Sequence, residues 1–271
     1  MRTRSLLPTP SLRPGARPRG PLPDHLAPVA ASGTQRRATH MAASVLLAYP
    51  DDDVLAAMPA VRAATPGLPA AVRERFDAFC DLLGAADLGD LRARYVATFD
   101  LKRKCSMYLS YYAAGDTRRR GTALVAFVEA YRAAGWEVTG SELPDYLPTV
   151  LEFSARATGD DAAIAAGLLA AHRDGIEVLR TALESVASPW TGLVEAVCLT
   201  LPPLDERTQQ RYVELVTAGP PARRAGGGAG GAGRGAGPPA ELVGMEPVAL
   251  EPYGPAPGPA LGRGTPREVA R

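Results

Sequence analysis

Residues 69–84 read PAAVRERFDAFCDLLG, and the spacing within them decides the fold class. Val72, Phe76, Phe79, Cys80 and Leu83 recur three and four positions apart, so all five fall on one face of an α-helix. Pro69 suits a first helical position, where the missing amide hydrogen is not needed. Gly84 suits the end, where a left-handed residue closes the last turn.

The same period extends in both directions. Upstream, Met41–Tyr49 predicts a short apolar helix stopped by Pro50, and Asp51–Asp53 supply an N-cap for a second helix through Val54, Leu55, Met58 and Val61. Downstream, Leu88, Leu91, Tyr95, Val96 and Phe99 form the next stripe. After an irregular or short helical stretch, Asp116 or Thr117 caps a helix carrying Leu124, Phe127, Val128 and Tyr131, closed by Gly135. Pro144 opens a helix with Leu147, Val150 and Leu151. Asp160 or Asp161 starts a long Ala- and Leu-rich segment reaching Val186, with Gly175 the place for a bend. Pro189 begins a helix with Leu193, Val194, Val197 and Leu201, halted by Pro202-Pro203, and Asp205 caps a last one with Tyr212, Leu215 and Val216. Strand alternation and internal repeats are absent. The expectation is all-α: a single helical bundle domain of about eight or nine helices.

The two ends read differently. Residues 1–38 are dense in Pro, Arg and Gly, and residues 219–240 read GPPARRAGGGAGGAGRGAGPPA. Neither offers an apolar face whose burial would offset the entropy of ordering. The expected organisation is a disordered Pro/Arg-rich extension (1–38), an all-helical domain (39–218) and a disordered Gly/Pro/Ala-rich tail (219–271), the natural domain starting near Thr39. The net charge of +1 hides a segregation: residues 1–40 carry seven Arg against Asp24 alone, and residues 219–271 six Arg against four Glu. The segment between holds 17 basic and 24 acidic residues. An acidic core argues against a nucleic-acid-binding domain and suits a positively charged partner.

Catalytic and metal chemistry finds no constellation. Cys80, Cys105 and Cys198 are odd in number and widely spaced, neither a disulfide framework nor a zinc site, which fits a reducing compartment. His25, His40 and His172 have no local His or Cys partner. Asp51-Asp52-Asp53 is the alternative signal, a magnesium site in a helical enzyme, but consecutive aspartates after a proline sit where N-caps belong and no second acidic motif follows. A second alternative is a nucleic-acid adaptor acting through the Arg-rich ends. The glycine run 226–236 lacks the Gly-Lys-Ser/Thr ending of a phosphate loop and reads as linker. Lys102–Lys104 precede Cys105 and nearby cations depress a thiol's pKa, yet no partner base is evident. Arg36-Arg37 before MAASVLLAY superficially resembles a twin-arginine export signal, but no small-x-small cleavage site follows at once. The expected chain is cytoplasmic, without membrane insertion, cofactor, metal or catalytic residue.

The stretch 95–121, YVATFDLKRKCSMYLSYYAAGDTRRRG, is unlike an ordinary surface. Tyr95, Tyr108, Tyr111 and Tyr112, with Tyr131 just beyond, lie beside two triple-cation clusters, Lys102–Lys104 and Arg118–Arg120. Tyrosines give contact area at low entropic cost plus a polar handle, and serve recognition surfaces as well as cores. Here the sequence resembles the nitrate reductase molybdenum cofactor assembly chaperones, the delta subunit or NarJ family within the TorD/DmsD group of redox-enzyme maturation chaperones. The resemblance rests on Tyr95-x-x-x-Phe99-Asp100, on KRKCSMYLSYYAAGDTRRRG, on ELPDYLPTVLEF from Glu142 to Phe153, on HMAASVLLAYPDD, and on PPAELVGMEPV near the end.

The resemblance implies an all-helical cytoplasmic chaperone that catalyses nothing. It would bind the N-terminal peptide of the apo catalytic alpha subunit of nitrate reductase and hold that subunit competent for molybdenum cofactor insertion. Proteins delivering that cofactor are further candidate partners. In the wider group a Glu-x-x-Asp-His type stretch is linked to peptide binding. Glu142, Pro144 and Asp145 fit it, but Tyr146 stands where many relatives have His. The candidate client-peptide residues are therefore Tyr95, Phe99, Asp100, Tyr108, Tyr111 and Tyr112, with Glu142, Asp145 and Tyr146 at the edge. Asp116 and Arg118–Arg120 are candidates for holding the segment's own fold.

Overall fold

Apolar stripes at helical spacing bury only by facing one another, and the chain does so as a helical bundle. The computed structural model describes residues 26–140 and 142–202, together with the backbone of 250–252. Ten α-helices are present among these residues: α1 Gly33–Leu46, α2 Asp52–Ala64, α3 Ala70–Ala85, α4 Leu88–Tyr95, α5 Leu109–Ala114, α6 Arg119–Ala133, α7 Leu147–Arg156, α8 Gly159–Ala171, α9 Arg173–Ser185 and α10 Thr191–Thr200. The helix α1 lies against α7 and α10, and α10 in turn against α3 and α9. Val72, Phe76, Phe79, Cys80 and Leu83 are all buried. They meet a core that includes Trp190, Leu193, Val194 and Val197 of the α10 region.

Several boundaries differ from expectation, each for a local reason. Helix α1 starts at Gly33, upstream of both Met41 and the expected limit at 39, because Ser32 and Gln35 form a reciprocal capping box. That signal is polar and invisible to apolar periodicity. Pro69 occupies the N-cap rather than the first helical position. Asp51 caps α2 as expected, its side chain accepting from the Val54 amide. The long segment after Asp160 is two helices divided at His172, not one helix bent at Gly175. The break turns α9 inward, so that every residue from Arg173 to Arg180 is buried. A short strand absent from the expectation, β1 Trp136–Val138, pairs antiparallel with β2 Leu250–Pro252, with Trp136 opposite Pro252 and Val138 opposite Leu250. The tail thus contributes one strand. The helix expected after Asp205 lies outside the described residues, as do residues 1–25 and most of 219–271.

Burying α9 means burying its charges. Glu177 is fully enclosed, its Oε1 2.7 Å from Arg173 Nη2 and its Oε2 accepting from Arg180 Nε at 2.8 Å. One carboxylate between two guanidiniums keeps each of these charges partnered where water is excluded. The neighbouring Cys198 thiol is pushed up to about 12, chiefly by burial.

His40 is another buried polar tie. Its Nδ1 meets Ser154 Oγ at 2.9 Å and its Nε2 meets Thr200 Oγ1 at 3.3 Å, joining α1 to α7 and α10. Burial, with Arg36 adding to it, lowers its pKa from 6.5 to about 3. The unfolded chain therefore binds a proton that the folded chain refuses. His40 contributes no penalty above the unfolded value and destabilises progressively as pH falls from 6.5 towards 3. Urea midpoints measured on descending pH should fall through this window, and His40→Gln should flatten that part of the slope.

At Gly175 the backbone of α9 meets the Tyr112 ring. A Cβ there would lie 2.8 Å from Tyr112 Cδ2 and 3.0 Å from its Cβ and Cγ. Gly175→Ala should therefore cost about 1–3 kcal/mol by overpacking, read as a lowered urea midpoint with an unchanged slope.

Candidate functional site

The site is built where α4 loses its regular turn. Val96–Asp100 forms a π-turn, closed by the Leu101 amide donating to Val96 O at 3.2 Å. The widened turn keeps Thr98 and Phe99 inside and leaves Asp100 half-buried and Leu101 exposed. A single 3-10 turn, Arg103–Cys105, follows. The chain then runs antiparallel to 145–147: Leu109 N–H donates to Asp145 O at 3.0 Å, and Leu147 N–H to Met107 O at 2.8 Å. This pairing sets Tyr108 opposite Tyr146, with ring centroids 5.5 Å apart. It also explains why α7 begins at Leu147 rather than at Pro144, since residues just before it are engaged in the bridge.

Asp145 fastens the bridge. Its Oδ2 accepts from the Ser110 amide at 3.0 Å and the Ser110 hydroxyl at 2.5 Å. Its Oδ1 is buried without a hydrogen-bond partner among the described residues. Burial raises this carboxyl, while the Ser110 hydroxyl and then the Arg120 charge pull it back. Glu142 accepts from Tyr108 OH at 3.0 Å. Burial raises Glu142 as well, against the Tyr108 bond, and Asp100 adds to the rise. Asp100 is itself raised by burial. Two half-buried carboxylates, Asp100 and Glu142, thus hold incompletely solvated negative charge within each other's field.

The nine residues expected to display a recognition surface do not all reach it. Tyr95, Phe99, Tyr112 and Asp145 are core residues. The Tyr95 and Phe99 rings pack tilted with centroids 4.6 Å apart and meet Trp190 at 5.3 and 5.5 Å. Tyr112 sends its hydroxyl to Lys104 O at 3.1 Å and Ser106 O at 2.7 Å. These four lie beneath the surface rather than on it; for Tyr95 and Phe99 the helical stripe spacing already points inward, whereas Asp145 lies in the loop before α7. Asp100, Tyr108, Glu142 and Tyr146 are half-exposed and together. Tyr111 is half-exposed as well, but it packs on Tyr112 and lies beside Arg103, towards the cationic loop. The Tyr146 hydroxyl lies 3.3 Å from Tyr95 OH.

Two neighbours of these residues were missed, Tyr49 and Ser110, whereas Arg120 was already among the residues expected to hold the segment's own fold. Tyr49, 42% exposed, meets the Tyr95 ring edge-on at 5.4 Å. Ser110 clamps Asp145, and Arg120 sits 5.5 Å over the Tyr108 ring. A tyrosine beside Pro50 carried no periodic signal, and Ser110 none at all.

The alternative chemistry fares differently. Asp51 caps α2 through the Val54 amide, and Asp52 lies 3.3 Å from Arg92. Among the described residues no three His, Cys, Asp or Glu are grouped to hold a metal. Burial raises the Cys105 thiol, outweighing the lowering by Lys102, so this cysteine is not activated. No helix among the described residues is long and apolar enough to cross a membrane.

The sequence profile of the nitrate reductase delta subunit family matches residues 65–195, which contain all nine expected site residues. Over 125 residues the chain is 37% identical to the "Probable nitrate reductase molybdenum cofactor assembly chaperone NarJ" of Bacillus subtilis strain 168, covering 68% of that protein and 46% of this chain. The chain belongs to the nitrate reductase delta subunit family. It is also 34% identical over 94 residues to the "Nitrate reductase molybdenum cofactor assembly chaperone NarJ" of Escherichia coli K12, covering 40% of that delta-family protein and 35% of this chain. The "Nitrate reductase-like protein NarX" of Mycobacterium tuberculosis H37Rv is 39% identical over 165 residues, 58% of this chain but 23% of NarX. The chain therefore spans about a quarter of NarX and 68% of the Bacillus delta-family relative.

For this delta-family chain, Asp145→Ala should unseat the 107–110 segment and cost about 1–3 kcal/mol through the unpaired Ser110 donors. Chemical denaturation reads the loss. Asp145→Asn, which keeps an acceptor for Ser110, should recover most of it.

Proposed function

We propose that this protein is a cytoplasmic maturation chaperone for respiratory nitrate reductase. It binds the N-terminal region of the apo catalytic alpha subunit and keeps that subunit competent for molybdenum cofactor insertion before membrane attachment. It performs no catalysis; its effect is mass action, because a ligand that binds one state of the client populates that state. The NarJ relatives bear the names of assembly chaperones, which supports this class of activity. Proteins that deliver the cofactor are the natural second partners.

The observation that carries the client-binding reading is the pairing of Asp100 and Glu142 with half-exposed Tyr108 and Tyr146. Half-buried carboxylates are short of solvation and gain most from a ligand's cation, while the tyrosine rings offer apolar contact beside them. An amphipathic basic peptide meets both demands. Asp100, Tyr108, Glu142 and Tyr146 make the contact in this reading, with Tyr111 at the margin and Tyr95, Phe99, Tyr112 and Asp145 beneath.

Titration calorimetry with the alpha-subunit N-terminal peptide tests it. Asp100→Asn combined with Glu142→Gln should weaken binding tenfold or more, about 1.4 kcal/mol, with an unchanged circular dichroism spectrum. Both carboxyls have raised pKa values, so they take up protons at a higher pH than ordinary side chains. Affinity for a cationic peptide should accordingly fall on acidification sooner than unshifted carboxylates would dictate. Unaltered affinity in the double variant would remove these two residues from the site, and no binding to the unaltered chain would remove the peptide as its client.

A further inference from the structure

Next to the acidic face stands a loop of opposite character that the proposed client does not need. Between residues 100 and 120 the chain carries Lys102, Arg103, Lys104, Arg118, Arg119 and Arg120 against only Asp100 and Asp116, although the segment 41–218 as a whole is acidic. The two clusters lie apart in sequence and are joined in space by Asp116. Its Oδ2 is 2.5 Å from Arg103 Nη2, and its Oδ1 is 4.0 Å from Arg120 Nη1. Asp116 is thereby committed to Arg103 and Arg120, while Lys102, Lys104, Arg118 and Arg119 remain exposed. Directly beside Lys102 is Leu101, 74% exposed, the most exposed large apolar side chain among the described residues.

This projection is not a loose end. The Leu101 amide is held on Val96 O, the Cys105 amide donates to Lys102 O at 2.8 Å, and buried Cys105 anchors the 3-10 turn. The Tyr112 hydroxyl ties down Lys104 O and Ser106 O on either side of that anchor. A leucine held out into water by a pinned backbone, with cations around its base, matches the two phases of an anionic bilayer surface. The apolar tip enters the headgroup boundary, and the ammonium and guanidinium groups meet lipid phosphates. A headgroup boundary offers both an apolar phase for the leucine tip and anionic phosphates for the cations at its base.

We propose that the loop 101–104, flanked by Arg118 and Arg119, docks this protein peripherally on anionic phospholipid headgroups. Docking needs no spanning segment and no client, so its test is independent of peptide binding. The full chain is sedimented with vesicles of phosphatidylcholine alone and with vesicles containing roughly one-third phosphatidylglycerol. Binding is expected only to the anionic vesicles and should weaken as salt is added. Lys102→Glu with Lys104→Glu should lower the partition coefficient about tenfold or more, and Leu101→Ser should lower it severalfold, both with unchanged thermal stability. Equal binding to neutral vesicles, or none to anionic ones, would overturn the proposal. So would anionic binding unaffected by the charge reversals, which would assign it to the Arg-rich ends. Loss with the charge reversals but not with Leu101→Ser would reassign the loop to an acidic macromolecule and sink the lipid assignment.

Discussion

A fully enclosed carboxylate holds the functional region together. Asp145 is reached by the backbone and the hydroxyl of Ser110 through one oxygen, and the segments carrying the two residues exchange backbone hydrogen bonds on either side of the Tyr108–Tyr146 bridge. Burying an ionised group is unfavourable unless hydrogen bonds and opposite charge replace its water. Ser110 and Arg120 supply both. The arrangement fixes a short stretch of extended chain inside a helical protein, where neither helix nor sheet would otherwise hold it. Glu142 and Tyr146 flank Asp145 in sequence, so pinning that residue aims both towards Tyr108.

A second constraint acts from below. Helix α9 meets the Tyr112 ring at Gly175, where the absence of a Cβ lets the ring lie against the helix backbone. Tyr112 in turn spans from α9 to the loop 104–106 through two carbonyls. Four positions of the 95–121 stretch that read as surface aromatics divide accordingly. Tyr95 and Tyr112 face inward as struts with buried rings, and Tyr108 and Tyr111 remain half-exposed. Burial drives the phenols upward in pKa, most strongly at Tyr95 and Tyr112, so these hydroxyls remain neutral donors to carbonyls throughout the physiological range.

The helices were legible because apolar residues at spacings of three and four have only one economical arrangement. The stripes in α3, α7 and α10 became core without exception at Val72, Phe76, Phe79, Leu147, Val150, Leu151, Leu193, Val194 and Val197. What escaped was signalled by something other than apolar period. The start of α1 depends on a polar capping box, the break at His172 on how α9 inserts, and the β1 strand on pairing with residues far along the chain. The motif marked the candidate region, and the structure divides its residues between core and surface. Periodicity already placed Tyr95 and Phe99 on the buried stripe, whereas Ser110 and Tyr49 acquire their roles only from neighbours distant in sequence.

Tyr108 marks where the two electrostatic faces meet. Its hydroxyl donates to Glu142 on one side, and its ring lies beneath the Arg120 guanidinium on the other. A ring face attracts a cation and a phenol attracts a carboxylate, so one residue can border both without neutralising either. Were Arg120 to close directly on Glu142, each charge would cancel the other and the carboxylate would lose its demand for an external cation. Arg120 is instead directed to Asp116, which also holds Arg103. The cations are thereby gathered on the loop side while Asp100 and Glu142 stay incompletely satisfied on the other. Separation of charge between residues 100 and 142, maintained by a tyrosine and a single bridging aspartate, lets neighbouring parts of the chain present surfaces of opposite sign.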